Sequence, residues 1–366
     1  MIRRRASGAS ARQVDLAGWP ALVLTAGLAT RLQPLSSIRA KAALPVAGDP
    51  LITRILRWLH AAGIRRVVLN LHHRADSITR IVGDGSRLDL SVRYSWETEI
   101  LGSAGGPARA VPLLAADRFL IVNGDTLTNV DLRALAGQHV ETNTMVTMAV
   151  VDADPRYNAI VADEAGIVIG FSKREPGTTG NPTLGPPSLA PLHASSGEVS
   201  PKRPSAAKAE TPGTFGRFHF IGVQAVNASV FAGVDPDEKS ETVQGIYPGV
   251  IAERTGAIRI FQTPEEFHDI GSPKDYLETA TTIAAREGRP LDRGEGSVVA
   301  SSATLVNTVV WDRVTIGANA RLSNCVVADD VAVPAGAHHS DCSLVMRGRE
   351  MIVAPFTAPE ARSSKT

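Results

Sequence analysis

The feature that most limits how this chain can fold is the stretch over residues 22–46, LVLTAGLATRLQPLSSIRAKAALPV. It begins within an apolar run, residues 21–24, that contains a β-branched valine and no charge. That is the composition of a strand buried on both faces of a parallel sheet. The run ends at Leu24 and breaks into Thr25-Ala26-Gly27-Leu28-Ala29-Thr30. Small residues there let a ligand approach the backbone, and exposed N–H groups can hold phosphate oxygens. Arg31 and Lys41 come next as isolated cations in a segment broken by Pro34 and Pro45. The combination suits a polyphosphate site. Taken alone, an ordinary strand-to-helix turn with surface charges reads the same way.

Beyond residue 46 the chain has the rhythm of a doubly wound α/β sheet. Asp49 and Pro50 suit the N-cap and first position of a helix, and Ile52, Ile55, Leu56 and Leu59 recur at helical spacing up to Gly63. Residues 66–71 and 90–96 read as strands around a short helix over 76–82. Strands alternating with helices predict parallel pairing through right-handed crossovers, with ligands beyond the carboxyl ends of the strands. Gly102-Ser103-Ala104-Gly105-Gly106 forms a second small-residue loop shortly after the third strand. A fourth strand, residues 119–122, runs into Asn123-Gly124-Asp125. A carboxylate at the end of an apolar strand has little structural purpose, so Asp125 is expected to face the crevice. Further strands are expected over 145–151, 218–226 and 258–261, with helices over 131–139 and 242–255. Ser272, Pro273 and Asp275 make a capped helix start, with Asp269 just ahead of it.

These residues, in this order, resemble the signature of the sugar-1-phosphate nucleotidyltransferases. Gly27, Thr30, Arg31, Leu32, Pro34, Leu35, Lys41, Leu44, Pro45 and Val46 fall on the family pattern in register. Ala29 stands where that pattern has its last glycine, and alanines flank Lys41 in place of prolines. If Ala29 needs a left-handed backbone, its Cβ costs about 1–2 kcal/mol. The resemblance implies that residues 24 and 26–30 and the Gly102-Ser103-Ala104 loop lie against the nucleotide, with Asn123 and Gly124 beside them. It implies Arg31 and Lys41 on phosphates, and Asp125 and Asp269 as ligands of a catalytic Mg²⁺. Asn158 and Gly222 fall on sugar-side positions; which of Lys173, Arg174 and Glu175 meets the sugar phosphate stays open. Glu97 stands where uridine- and thymidine-using relatives often have Gln. A carboxylate only accepts hydrogen bonds, and guanine offers two adjacent donors, so Glu97 points to GTP.

The chain's 366 residues suffice for a large core plus an appendage. Its 38 Lys and Arg against 37 Asp and Glu give no electrostatic reason to expect nucleic acid as a partner. No apolar run has the length of a membrane span, and no apolar segment comes after the basic start, so a cytoplasmic protein without a membrane partner is expected. Residues 1–18 read as a disordered lead and 19–290 as the nucleotidyltransferase domain. Residues 177–213, rich in Pro, Gly, Ser, Thr and Ala, read as a flexible insertion. Residues 305–345 repeat every 17 positions: Asn307, Asn324 and Asp341 align, as do Cys325 and Cys342. Apolar residues at every fifth or sixth position mark hexapeptide coils of a β-helix, left-handed by the family resemblance, over 297–346, with 347–366 as a tail. Its open edge needs a cover, either the catalytic domain or a second copy in a homo-oligomer.

The fold class expected is therefore α/β: a doubly wound, mostly parallel, Rossmann-like sheet with a short C-terminal β-helix. The reaction the resemblance implies joins an NTP to a sugar 1-phosphate, giving NDP-sugar and pyrophosphate, with GTP and mannose 1-phosphate the best-matched pair. The alternatives are a UTP- or dTTP-using enzyme, a catalytically weak nucleotide-sugar-binding homologue, and an acyltransferase built on the β-helix.

Overall fold

The computed structural model describes residues 14–154, 158–172, 215–291 and 293–356. The chain enters with Leu16 fully buried, so the lead expected through residue 18 is ordered at its end, because Leu16 joins the main core. Ala21–Leu24 (β1) is followed by a small hairpin, Pro45–Val46 (β2) with Asp49–Pro50 (β3). Helix Leu51–Ala61 (α1) starts there, and Leu51 N–H donates to Leu44 O at 2.9 Å. The expected Asp49 cap does not form. Asp49 sits in the hairpin, and its carboxylate pairs with Arg57 at 2.8 Å and Arg289 at 3.4 Å.

Arg66–Leu71 (β4), Ala75–Val82 (α2) and Ser91–Trp96 (β5) then continue the winding. Gly102–Leu114 (α3), Arg118–Asn123 (β6), Thr126–Thr128 (β7), Leu132–Glu141 (α4) and Val146–Asp152 (β8) come after them. Asp131 caps α4 by accepting from the N–H groups of Arg133 and Ala134. Beyond it lie Ala159–Ala162 (β9), Val168–Ser172 (β10), Gly216–Asn227 (β11) and, after a π-turn over Thr242–Ile246, Tyr247–Glu253 (α5). Ile258–Gln262 (β12), Phe267–Asp269 (β13) and Pro273–Arg286 (α6) complete the domain. Ser272 caps α6 as expected.

The central sheet runs β10-β9-β11-β6-β1-β4-β5, with β8 and β12 joined through β11. β5, β4, β1 and β6 pair in parallel, as do β8 and β12. The expectation of a mostly parallel sheet needs correction on one side. β11 runs antiparallel to β6, β8 and β9, and β9 to β10. Alternation of apolar residues marks a strand but carries no direction, so the reversal left no trace in the pattern. Alternate residues of β1 serve opposite faces: Ala21 and Val23 enter one core and Leu22 the other. Each fully buried Leu or Ile stabilises by about 1.5–3 kcal/mol, so the sheet is anchored from both sides.

The C-terminal region stacks in steps of 17 residues. Thr304–Val310 (β15), Arg321–Val327 (β17) and His338–Arg347 (β19) pair in parallel, and short strands Val298–Val299 (β14), Thr315–Ile316 (β16) and Ala332–Val333 (β18) form a second parallel ladder. Asn307, Asn324 and Asp341 all take left-handed backbone and hydrogen-bond one another side chain to side chain at 2.9 and 3.0 Å. Cys325 and Cys342 are stacked thiols 3.7 Å apart. After Gly348 the chain turns and Glu350–Pro355 (β20) pairs antiparallel with β19. The stack thus covers its own last edge, which the repeat pattern did not reveal. The ladder is compatible with a β-helix.

Candidate functional site

Four strand ends lie side by side. Leu24 is in register with Asn70 on one side and Asn123 on the other, and Glu97 N–H donates to Leu71 O. The polar groups just past these ends lie at the edge of the sheet where the doubly wound rule puts ligands. Thr25 is fixed there: its N–H donates to Asn70 Oδ1 at 2.6 Å, and its hydroxyl donates to Asn70 O. Gly124 lies under it, with N–H donating to Leu24 O at 2.9 Å; a Cβ on Gly124 would be 2.6 Å from Thr25 Cγ2. Ala26 is buried, Gly27, Leu28, Thr30 and Arg31 are exposed, and nothing lies within 4 Å of a Cβ placed on Gly27. Ala29 takes φ 48°, ψ 48°, the left-handed conformation that a glycine would hold without strain.

The charged centre forms where two distant segments pair. β13 runs antiparallel to β7, with Asp269 opposite Thr126, and Ile270 N–H reaches Asp125 O. Asp269 therefore arrives beside Asp125. Lys41 enters from the turn Lys41–Ala43, and its Nζ lies 2.7 Å from Asp125 Oδ2 and 3.7 Å from Asp269 Oδ1. Burial raises the Asp269 carboxyl above the ordinary aspartate range; the Asp125 charge adds to this, while Lys41 and Arg31 oppose it. Arg31 borders the same space: its guanidinium lies 3.3 Å from where a Cβ on Gly271 would sit. Two carboxylates converging on one cation are a suitable donor set for a hard divalent ion, which takes one or two carboxylates and completes its shell with water and phosphate oxygens. The Lys41 ammonium lies between the two carboxylates. Among the described residues no cluster of three or more His, Cys, Asp or Glu presents a closed metal site.

The second small-residue stretch, expected as a loop, is instead the first turns of α3, and it is covered by the chain itself. Ser240 N–H donates to Leu101 O, and Ala104 and Gly105 N–H donate to Ser240 O. Ser103 donates to Glu241 Oε2 through both its N–H and its hydroxyl, at 3.0 and 2.6 Å. A Cβ on Gly102 or Gly105 would sit 2.5 Å from a backbone oxygen of this segment. Glu97 is buried, with Oε1 accepting from Asn70 Nδ2 at 2.8 Å and Oε2 from Leu101 N–H at 3.0 Å. On the sugar side, Gly222 takes φ +79° and brings β11 against Asn123; a Cβ there would be 2.9 Å from Asn123 Nδ2. Asn158 is exposed just ahead of β9. Lys173, Arg174 and Glu175 lie outside the described residues, as does the whole of the 177–213 insertion.

Sequence reasoning missed Asn70, although it binds both Thr25 and Glu97. The signal was present: it is a lone polar residue near the carboxyl end of RVVLNL, the same logic that singled out Asp125. Glu241 had no such signal, since its role depends on a fold-back from 138 residues away.

Residues 20–178 match the family described as Nucleotidyl transferase. The mannose-1-phosphate guanylyltransferase of Mycobacterium tuberculosis is 36% identical over 156 residues, covering 42% of this chain and 44% of the relative. The N-acetylmuramate alpha-1-phosphate uridylyltransferase of Neisseria meningitidis serogroup B is 42% identical over 115 residues, covering 31% and 50%. The chain thus spans about half the length of these curated relatives. The crystal structure of HddC from Yersinia pseudotuberculosis superposes with a TM-score of 0.54 at 21% identity, covering 72% of this chain and 99% of that one, a likeness of fold. Among the described residues no helix is long and apolar enough to cross a membrane. The chain thus carries, over residues 20–178, a domain that matches the nucleotidyl transferase family.

Proposed function

We propose that this chain transfers a nucleotidyl group from an NTP to a sugar 1-phosphate, releasing pyrophosphate, with GTP and mannose 1-phosphate as the preferred pair. The observation that carries the reading is the convergence of Asp125 and Asp269 on the Lys41 ammonium, with Arg31 near enough to act on Asp269. In-line attack of the sugar phosphate on the α-phosphorus needs no covalent enzyme intermediate. The protein has to align two polyanions and offset their charge. Arg31 grips phosphate oxygens of the departing pyrophosphate in pairs. Lys41 serves as a point charge near the line of attack, released from the carboxylates when substrate binds. Thr25, held by Asn70, and the backbone over 26–30 receive the nucleotide phosphates. Asp125 and Asp269 would hold a divalent cation, Mg²⁺ by its preference for oxygen ligands. Such an ion would supply positive charge that offsets the phosphates.

The base preference rests on Glu97. Its oxygens each accept one protein hydrogen bond, and a carboxylate has about four acceptor sites, so lone pairs remain for the two adjacent donors of guanine. The relative from Mycobacterium tuberculosis, a guanylyltransferase by name, agrees with this preference. The prior commitment of Glu97 to Asn70 and Leu101 favours the competing reading, a UTP or dTTP user; the relative from Neisseria meningitidis is a uridylyltransferase by name. The C-terminal ladder we take as a left-handed β-helix appended to the catalytic domain. Pyrophosphate release, measured with all four NTPs against a panel of sugar 1-phosphates, tests the proposal. GTP with mannose 1-phosphate is expected to be fastest; a clear UTP or dTTP preference defeats the base assignment, and no release with any pair defeats the activity.

A further inference from the structure

The C-terminal coils grip the segment that carries Lys41 directly at one end and through Tyr276 of α6 at the other. Arg39 lies two residues before Lys41. Its Nε and Nη2 donate to the two carboxylate oxygens of Asp329 at 2.8 and 2.6 Å, and Nη2 also donates to Asp312 Oδ2 at 2.5 Å. The two aspartates stand one coil apart. Asp329 Oδ1 accepts from Asp312 N–H at 3.0 Å, and Asp312 Oδ1 accepts from Glu295 N–H at 2.9 Å, so the coil backbone sets their direction. The Trp311 ring faces the same guanidinium, 5.2 Å from centroid to Cζ. A planar fork held by paired oxygens against an aromatic face is geometry that lysine cannot reproduce. Burial lowers the Arg39 pKa, but the hydrogen bonds and charges of Asp329 and Asp312 outweigh it and hold the group fully charged.

Four residues past Lys41, Pro45 O accepts from the Tyr276 hydroxyl at 2.6 Å, and that hydroxyl accepts from Trp311 Nε1 at 3.0 Å. Tyr276 and Trp311 are fully buried. Trp311 therefore bears on both grips. Between them the chain is short and tight: Ala43 N–H donates to Ala40 O, Leu44 N–H donates to Lys41 O, and Ala42 and Ala43 are buried. A segment of this length, fixed at Arg39 and Pro45, leaves the Lys41 backbone little freedom.

We propose that Asp312, Asp329, Trp311 and Tyr276 form a clamp through which the C-terminal coils position Lys41 against Asp125 and Asp269. Arg39 is the clamp's handle on the loop, a positioning residue and not a catalytic one. The proposal rests on the role given to Lys41 above. Misplacing a reacting or charge-bearing group by about 1 Å costs on the order of 100-fold in rate, so loosening the clamp reaches the chemistry without touching substrate.

Two near-isosteric variants of the full chain, Arg39→Lys and Tyr276→Phe, test it by two readouts. Amide hydrogen exchange over residues 40–45 is expected to quicken in both while exchange in β1 and β4 holds. The catalytic efficiency kcat/KM for pyrophosphate release is expected to fall about 10- to 100-fold, mainly in kcat. In a Lys41→Met background, Arg39→Lys is expected to cause no further loss, because the group it positions is gone; a clamp with only a structural role would cost the same factor in both backgrounds. Unchanged exchange over 40–45 overturns the clamp whatever the activity. Faster exchange with full activity, or equal losses with and without Lys41, overturns its positioning role. If Lys41→Met itself leaves the rate intact, the reading of the site fails first and the positioning role with it.

Discussion

Two small-residue stretches, the loop after β1 and the first turns of α3, lie near the strand ends and read almost alike as sequence. The first, over residues 25–30, is open: Gly27 has free space around it and Leu28 is 43% exposed. The second, over 102–106, is filled: Gly102 and Gly105 lie against residues 238–240, and Gly106 lies against Glu97, whose Oε1 would be 2.8 Å from a Cβ. One glycine leaves room that a polyphosphate can use. The others let the chain fold back on itself. The same composition thus has two physical causes, and only the space left around each residue separates them.

This contrast between the two stretches is open to experiment. The largest expected effect lies at the charged centre: Lys41→Met should lower kcat by about 10³-fold, the scale for losing one preorganised charge at the reacting phosphates, without unfolding the protein. In the same variant Mn²⁺ should bind more tightly to the unliganded chain, because the ammonium no longer occupies both carboxylates; isothermal titration reads this directly. Next, Gly102→Ala at the covered start of α3 combines a positive φ with a backbone clash and should cost about 2–3 kcal/mol of stability by urea unfolding. Gly27→Ala in the open loop should change stability by no more than about 0.5 kcal/mol yet raise KM for the NTP about tenfold or more. Equal stability losses at Gly27 and Gly102 would erase the distinction. The smallest effect is at Ala29. Relief of its left-handed strain, about 1–2 kcal/mol, outweighs the added freedom of an unfolded glycine, about 0.4–1 kcal/mol. Ala29→Gly should therefore stabilise by about 0.5–1 kcal/mol, visible as a higher urea midpoint.

Much of this site was legible in the chain because its signals are local. β1 declares itself by an uncharged apolar run and Asp125 by its place at a strand end, whereas Asp269 is singled out only by the family resemblance around it. The 17-residue spacing of Asn307, Asn324 and Asp341 foretold the ladder, since left-handed corners favour Asn and Asp. The features that stayed hidden are long-range. Arg39 meets Asp329 across 290 residues, and nothing near either marks it. Asp49 looked like a helix cap, but three arginines and a hairpin take it instead. The reversal of β11 and the cover strand β20 depend on how the chain returns to a sheet, which side-chain periodicity does not encode.

The proposed chemistry turns on Asp125 and Asp269 sharing one divalent ion. Mn²⁺ binding measured by electron paramagnetic resonance, in the presence of GTP, tests this in the parent chain, Asp125→Asn and Asp269→Asn. One protein-bound ion per chain is expected in the parent, weakened by at least about tenfold in each variant, the scale for losing a charged metal ligand. Its affinity should also fall on acidification sooner than at an ordinary aspartate pair, because burial raises the Asp269 pKa and its proton competes with the metal. Retention of the bound ion at parent affinity in either variant would contradict the shared-ion site.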